Sequence, residues 1–136
     1  MMASLGCLGV VVVIEDDEDT RELLQTALLR HGYRVATAVD GLDGLDLLRA
    51  TDTVCFVLLD LFMPRMDGFG LLRELVNDPR LARVPVCVST SAPQAVPLGM
   101  PCLTKPIDLA RLFAMIDRHC AAIDLRLPAS TPRPAQ

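Results

Sequence analysis

Val54-Cys55-Phe56-Val57-Leu58-Leu59-Asp60 is a run of six apolar residues that stops on a carboxylate. Uninterrupted apolar residues at strand length, several of them β-branched or aromatic, suit a strand covered on both faces rather than one with a wet side. Leu61-Phe62-Met63-Pro64-Arg65-Met66-Asp67-Gly68 follows, and it reads as a loop carrying a Met-Pro step and ending in an Asp-Gly helix start. The pattern predicts a central strand over 54–59 and a helix over 68–77, stopped by Asp78-Pro79.

Outward from that centre the same alternation recurs. Residues 10–14 form a second apolar strand, which ends in Glu15-Asp16-Asp17. Leu23, Leu24, Ala27 and Leu28 then repeat at helical spacing, with Asp17, Glu18 and Asp19 favouring the helix start and Gly32 its stop. A strand over 33–39 precedes Asp40-Gly41 and a helix carrying Leu42, Leu45 and Leu48. Two short strands, 86–89 and 102–104, run into Ser89-Thr90-Ser91 and into Lys105-Pro106. A last helix is expected over 108–122, and the Pro-Ala-Ser-Thr-Pro-Arg-Pro-Ala-Gln ending is expected to be a flexible tail. The expected organisation is one domain over 9–122, an N-terminal extension at 1–8 and a tail at 123–136.

Five strands alternating with helices imply an α/β fold: a doubly wound parallel sheet with helices on both faces and right-handed crossovers. Such sheets bind ligands beyond the carboxyl ends of their strands, where strand order reverses. Glu15, Asp16, Asp60, Thr90 and Lys105 each lie at or just past such an end, so they converge on one rim. Lys105 is the sole lysine among thirteen basic residues. Its place before Pro106 in an apolar stretch argues against an ordinary surface residue.

The chemistry of that rim follows from its residue types. Glu15, Asp16 and Asp60 offer hard oxygen ligands, suited to Mg2+ held by few carboxylates with waters retained. A carboxylate is a competent nucleophile toward phosphorus, giving an acyl phosphate. The incoming phosphoryl group needs its oxygens neutralised, a task for the metal, the Lys105 ammonium and the Thr90 hydroxyl.

Composition narrows the alternatives. A net charge of -4, a pI near 5.0 and the lack of any basic run argue against nucleic acid as a partner. Five cysteines with no CxxC pair suit reduced thiols in a cytoplasmic protein. The apolar run 5–14 is shorter than the about 20 residues a bilayer requires, so no membrane span is expected. Ser4-Leu5-Gly6-Cys7 faintly matches a lipoprotein cleavage site, but no charged segment precedes it and no signal peptide is expected. His31 and His119 fall near helix ends and read as structural. Asp17, Glu18 and Asp19 read as a solvated helix start.

Val-Ile-Glu-Asp-Asp at 13–17, Leu-Leu-Asp-Leu-Phe-Met-Pro-Arg-Met-Asp-Gly at 58–68, Ser-Thr-Ser at 89–91 and Lys-Pro at 105–106 stand in one order. In these pieces the chain resembles the receiver domain of two-component response regulators. The resemblance implies a flavodoxin-like sheet of order 2-1-3-4-5. It implies Asp60 as phosphoacceptor, served by a histidine kinase or a histidine phosphotransfer protein. Glu15 and Asp16 would be the acidic pair for Mg2+, with Asp60 and the backbone carbonyl of Phe62 as further ligands. Thr90 and Lys105 would be the switch hydroxyl and the phosphate-binding lysine. Such a domain is a signalling switch rather than a turnover enzyme, and with no effector following, its output is expected to be contact with a downstream protein.

Departures from the family pattern carry their own expectations. Only fourteen residues separate Thr90 from Lys105, and Pro93, Pro97 and Pro101 are among them. The fourth helix is therefore expected to be a turn or two or irregular, since an internal proline costs about 3 kcal/mol. Cys102 stands where the family places a switch aromatic, so a different readout surface is expected. Phe62, two residues past Asp60, has no group to orient an attacking water, and Ala92 offers none either; a long-lived phosphoryl group is expected. Two other readings use the same residues. One is a phosphate-independent scaffold, favoured by the shortened helix. The other is a small Mg2+-dependent phosphatase, disfavoured because Phe62 occupies the position of its general acid.

Overall fold

The computed structural model describes residues 9–130, with side chains as far as His119. The expected extension at 1–8 and the final stretch 131–136 lie outside the described residues. Strands β1 (Val10–Ile14), β2 (Arg34–Ala38), β3 (Val54–Asp60), β4 (Val86–Thr90) and β5 (Cys102–Thr104) alternate with helices α1 (Glu18–Arg30), α2 (Gly41–Ala50), α3 (Gly68–Val76) and α4 (Leu109–Ser130). The strands pair in parallel in the order β2-β1-β3-β4-β5, the doubly wound arrangement expected.

Alternation of side chains along each strand explains why the runs are apolar without a break. Val11, Val13, Phe56, Leu58 and Leu103 point to one face, against Leu24 and Leu28 of α1 and Leu112 and Ile116 of α4. Val12, Ile14, Val57 and Leu59 point to the other, against Leu45 and Leu48 of α2 and Leu71 and Leu75 of α3. Burying each such side chain contributes about 1.5–3 kcal/mol, so neither face of β1 or β3 tolerates a polar residue until the strand ends.

Helix starts follow the aspartates. Asp17, Asp40 and Asp67 each accept a bond from the backbone N–H three residues on, at 2.8, 2.9 and 2.9 Å. Asp108, expected inside the last helix, instead caps it by accepting from the N–H of Ala110 at 3.0 Å. The far end of α2 is closed from outside: Arg80 donates to the carbonyls of Thr51, Leu48 and Arg49 at 3.0, 3.0 and 2.9 Å. The last-turn carbonyls of a helix lack the full set of N–H partners (here only Leu48 also takes the Thr51 N–H, at 3.4 Å), and a guanidinium there also complements the helix dipole. Arg80→Ala should therefore lower stability by about 1–2 kcal/mol, read as a lower urea midpoint with unchanged slope.

Three boundaries differ from expectation in an informative way. β3 and β4 each extend one residue, to Asp60 and Thr90, so both polar groups are held within the ladder rather than past it. α4 continues to Ser130 instead of ending near 122, so the tail expected at 123–136 is helical over its first eight residues. Ala121, Ala122, Leu125, Arg126 and Leu127 are strong helix formers, and nothing among them stops the helix. The shortened fourth helix is as expected: between β4 and β5 only a single 3-10 turn, Pro93–Ala95, forms.

Candidate functional site

Strand register sets the rim. Ile14 pairs with Leu59, Asp60 with Ser89, and Thr90 with Thr104, so four neighbouring strands end level. The N–H of Lys105 donates to the Thr90 carbonyl at 2.9 Å, which carries the ladder one residue further. Past β3 the chain turns tightly: the N–H of Gly68 donates to the Leu61 carbonyl at 2.7 Å. A Cβ on Gly68 would lie 2.7 Å from the Asp60 carbonyl oxygen, so only glycine lets α3 start so close to the strand end.

Glu15, Asp60 and Thr90 are buried at this rim, whereas Asp16 is exposed. Carboxylate oxygens of Glu15, Asp16 and Asp60 lie within 4.8 Å of one another. The Lys105 Nζ sits 2.9 Å from Glu15 Oε1 and 3.4 Å from Asp60 Oδ2. Glu15 Oε2 accepts from the N–H of Asp17 at 3.1 Å. Glu15 Oε1 is buried with no aligned hydrogen bond, so its contact with Lys105 is an ion pair only. Arg21 binds the main-chain carbonyls of Glu15 and Asp16, not their carboxylates.

Three carboxylates thus face one ammonium, which leaves two negative charges without compensation when all are ionised. The electrostatics of Asp60 record the imbalance. Burial, then repulsion from Glu15, push its carboxyl up to about 7, reinforced by a hydrogen bond with the Asp16 carboxyl. Attraction by Lys105 and the N–H of Phe62, at 3.4 Å from Oδ1, pull the other way and lose. Burial also opposes the charge on Lys105, but its contacts with Glu15 and Asp60 prevail and raise its pKa. A group of hard oxygens with surplus negative charge and a buried, unaligned oxygen fits a small divalent cation.

The remaining candidates fall into place around this cluster. The Thr90 Oγ1 accepts from the N–H of Ala92 at 3.0 Å, which leaves its own proton free to donate. Phe62 is 53% exposed, and its ring meets that of Phe69 edge-on at 6.0 Å. His31 stacks on Phe113 at 3.9 Å and His119 packs on Phe56, so neither joins the cluster. Cys55 and Cys87 are buried, and burial pushes their thiols up to about 11 and about 12; Cys102 is only partly buried, and the side chain of Cys120 lies outside the described residues.

One ion pair beside the site was absent from the sequence reading. Arg65 donates from Nε and one terminal nitrogen to the buried Asp40, at 2.6 and 3.1 Å. The Arg65 guanidinium holds the Asp40 carboxyl below its ordinary range. Arg65 adopts φ 66°, a left-handed conformation uncommon outside glycine, and this forked contact with the start of α2 holds it there.

A family model described as the response regulator receiver domain matches residues 11–117. Response regulator PleD of Caulobacter vibrioides is 37% identical over 113 residues, covering 78% of this chain and 25% of PleD. Transcriptional regulatory protein CseB of Streptomyces coelicolor is 36% identical over 113 residues, covering 78% of this chain and 47% of CseB. The chain therefore spans between a quarter and a half of these relatives' length. Among solved structures, the receiver domain of a Pseudomonas aeruginosa sensor histidine kinase, with magnesium coordinated in its active site cleft, aligns with a TM-score of 0.76 at 25% identity. That alignment covers 83% of this chain and 98% of the other. A CheY-like receiver domain from Methanospirillum hungatei aligns with a TM-score of 0.72 at 28% identity, covering 85% and 96%. With the strand order, the rim of acids and the lysine all of one pattern, the chain belongs to the response regulator receiver domain family of two-component signalling.

Proposed function

We propose that this receiver domain is a phosphorylation-dependent switch in which Asp60 is the phosphoacceptor. The observation that carries this is the set of three carboxylates within 4.8 Å around one ammonium, with Asp60 raised to about 7. In its ionised form an Asp60 oxygen attacks the phosphorus carried by a histidine kinase or histidine phosphotransfer protein. The P–N bond to the donor histidine breaks, its electron pair stays on the imidazole, and an acyl phosphate forms.

Glu15, Asp16, Asp60 and the Phe62 main-chain carbonyl would hold Mg2+. When bound, that ion neutralises charge on the transferring group. Lys105, already between Glu15 and Asp60, would shift to a phosphoryl oxygen, and the free Thr90 proton would meet another. Receiver domains are signalling domains rather than turnover enzymes, and here too one phosphoryl group is held rather than many processed. The functional unit is taken as residues 9–122. No helix among the described residues is long and apolar enough to cross a membrane, and the free cysteines suit a reducing cytoplasm.

The donor is expected to approach along α1 and the start of α4. An apolar groove of about 400 Å³ there begins beside Lys105 and is lined by Leu23, Leu24, Ile107 and Leu109. A second groove continues it past Ala27 to Phe113, and Leu23 is common to both and 61% exposed. Leu23→Asp should slow transfer from a radiolabelled histidine kinase at least about tenfold, the loss of one buried apolar contact in a docked complex. Phosphorylation by acetyl phosphate should not change. Equal slowing of both reactions would place the defect in the site and refute this docking face.

A further inference from the structure

α3 carries two stripes. One, through Leu71 and Leu75, is buried in the core. The other, Phe69, Leu72, Arg73 and Val76, repeats at the i, i+3, i+4, i+7 spacing of a helix face and has no helix packed on it. In a doubly wound fold the next helix covers that position, but here the chain makes only the 3-10 turn Pro93–Ala95 and a tight turn at 97–100. Pro97 and Met100 instead form a wall opposite the stripe, leaving an open groove of about 580 Å³. That wall is a fixed turn: the N–H of Met100 donates to the Pro97 carbonyl at 3.1 Å, with Gly99 at φ 84°. Positive φ at the third residue of a four-residue turn is a glycine position, and it leaves Leu98 fully exposed at the tip. Val76 at the other end is 74% exposed.

Charge says what fits. Arg73 borders this apolar groove on the side of Gly70, and its side chain has no ion pair or hydrogen bond among the described residues. The groove lining holds no acid, so a second copy docked through the same face would add another Arg73 and no counter-charge from the lining, which disfavours a dimer. An amphipathic helix with an acid beside its apolar stripe satisfies both features at once. Two contacts connect the groove to the proposed phosphoacceptor: Phe69 on its lining meets Phe62 edge-on at 6.0 Å, and the Phe62 N–H donates to Asp60 at 3.4 Å.

We infer that the groove between α3 and the turn at 97–100 docks an amphipathic partner helix carrying a glutamate or aspartate against Arg73, and that the Phe62–Phe69 pair links its affinity to the state of Asp60. The docking rests on the groove itself; only the link to Asp60 rests on the receiver reading above. The 136-residue chain is titrated by two-dimensional NMR with two synthetic helical peptides that share a leucine stripe and differ by one glutamate or lysine beside it. Intact mass measured in parallel reports phosphorylation by acetyl phosphate.

The glutamate peptide should bind at least about tenfold more tightly than the lysine peptide, with shifts centred on Leu72, Val76 and Met100. Arg73→Glu should reverse that order while leaving phosphorylation intact, and Val76→Asp should weaken both peptides. Phosphorylated chain should bind the glutamate peptide with an affinity at least about threefold different from unphosphorylated chain. Absence of binding, no reversal in Arg73→Glu, or a groove closed by self-association in sedimentation would overturn the docking site. Equal affinity at full phosphorylation would overturn the link to Asp60. No mass gain would count against the receiver reading, with the groove still judged on the unphosphorylated chain.

Discussion

Asp60→Asn is expected to make the magnesium-free protein more stable at pH 8, by about 2 kcal/mol. The reason is the crowding of acids: Glu15, Asp16 and Asp60 lie within 4.8 Å of one another with only Lys105 between two of them. Burial first, then Glu15, raise Asp60 from the ordinary 3.8 to about 7. The folded chain therefore holds a proton that the unfolded chain has lost between about pH 4 and 7. Stability from this group is complete below the lower value and is lost as pH rises through the upper one. A shift of this size corresponds to about 4 kcal/mol, which solvent and salt at an open rim reduce to about half. An amide has no charge to desolvate, and Lys105 keeps its ion pair with Glu15 at 2.9 Å. Urea unfolding of both proteins at pH 5 and pH 8 is the check: the difference should be large at pH 8 and small at pH 5. An equal or lower midpoint for the variant at pH 8 would mean the acids are not in conflict.

Asp16→Ala is expected to weaken magnesium binding roughly a hundredfold, a loss of about 3 kcal/mol. Asp16 is the exposed member of the trio and lacks the ammonium contact that Glu15 and Asp60 have. Its carboxylate is thus the one with charge most available to an incoming cation. The same geometry predicts that wild-type affinity rises as pH increases through about 7, because the ion must displace the proton held on Asp60. The chain has no tryptophan and one tyrosine, so calorimetry is preferable to intrinsic fluorescence. Unchanged affinity in Asp16→Ala would remove this residue from the metal site.

Why the rim could be read from sequence, and other parts could not, comes down to range. The runs 10–14, 54–59 and 86–88 are apolar because both sheet faces are covered, and each must end where the cover ends. A polar residue directly after such a run therefore marks a strand end, and parallel pairing brings all such ends together. Glu15, Asp16, Asp60, Thr90 and Lys105 were legible for that reason. The three prolines between Thr90 and Lys105 likewise made the missing fourth helix legible.

Contacts made across long separations carried no comparable signal. Arg65 reaches Asp40 twenty-five positions away, and nothing in Met-Pro-Arg-Met-Asp-Gly marks the left-handed backbone this requires. Arg80 closes a helix about thirty residues earlier in the chain. Asp17, Glu18 and Asp19 read alike as acids at a helix start, and only the geometry singles out Asp17 as the cap. The end of α4 was misplaced because a proline-rich ending suggested a break before the helix formers at 121–127 had run out.

The central claim is that Asp60 takes a phosphoryl group in a magnesium-dependent reaction. Its most direct test is the intact mass of the full chain after incubation with acetyl phosphate, with and without magnesium, beside Asp60→Asn. A gain of one phosphoryl group that requires magnesium and disappears in Asp60→Asn is the predicted result. No gain in the wild-type chain, or an equal gain in the variant, would contradict it and favour a scaffold that works without phosphate.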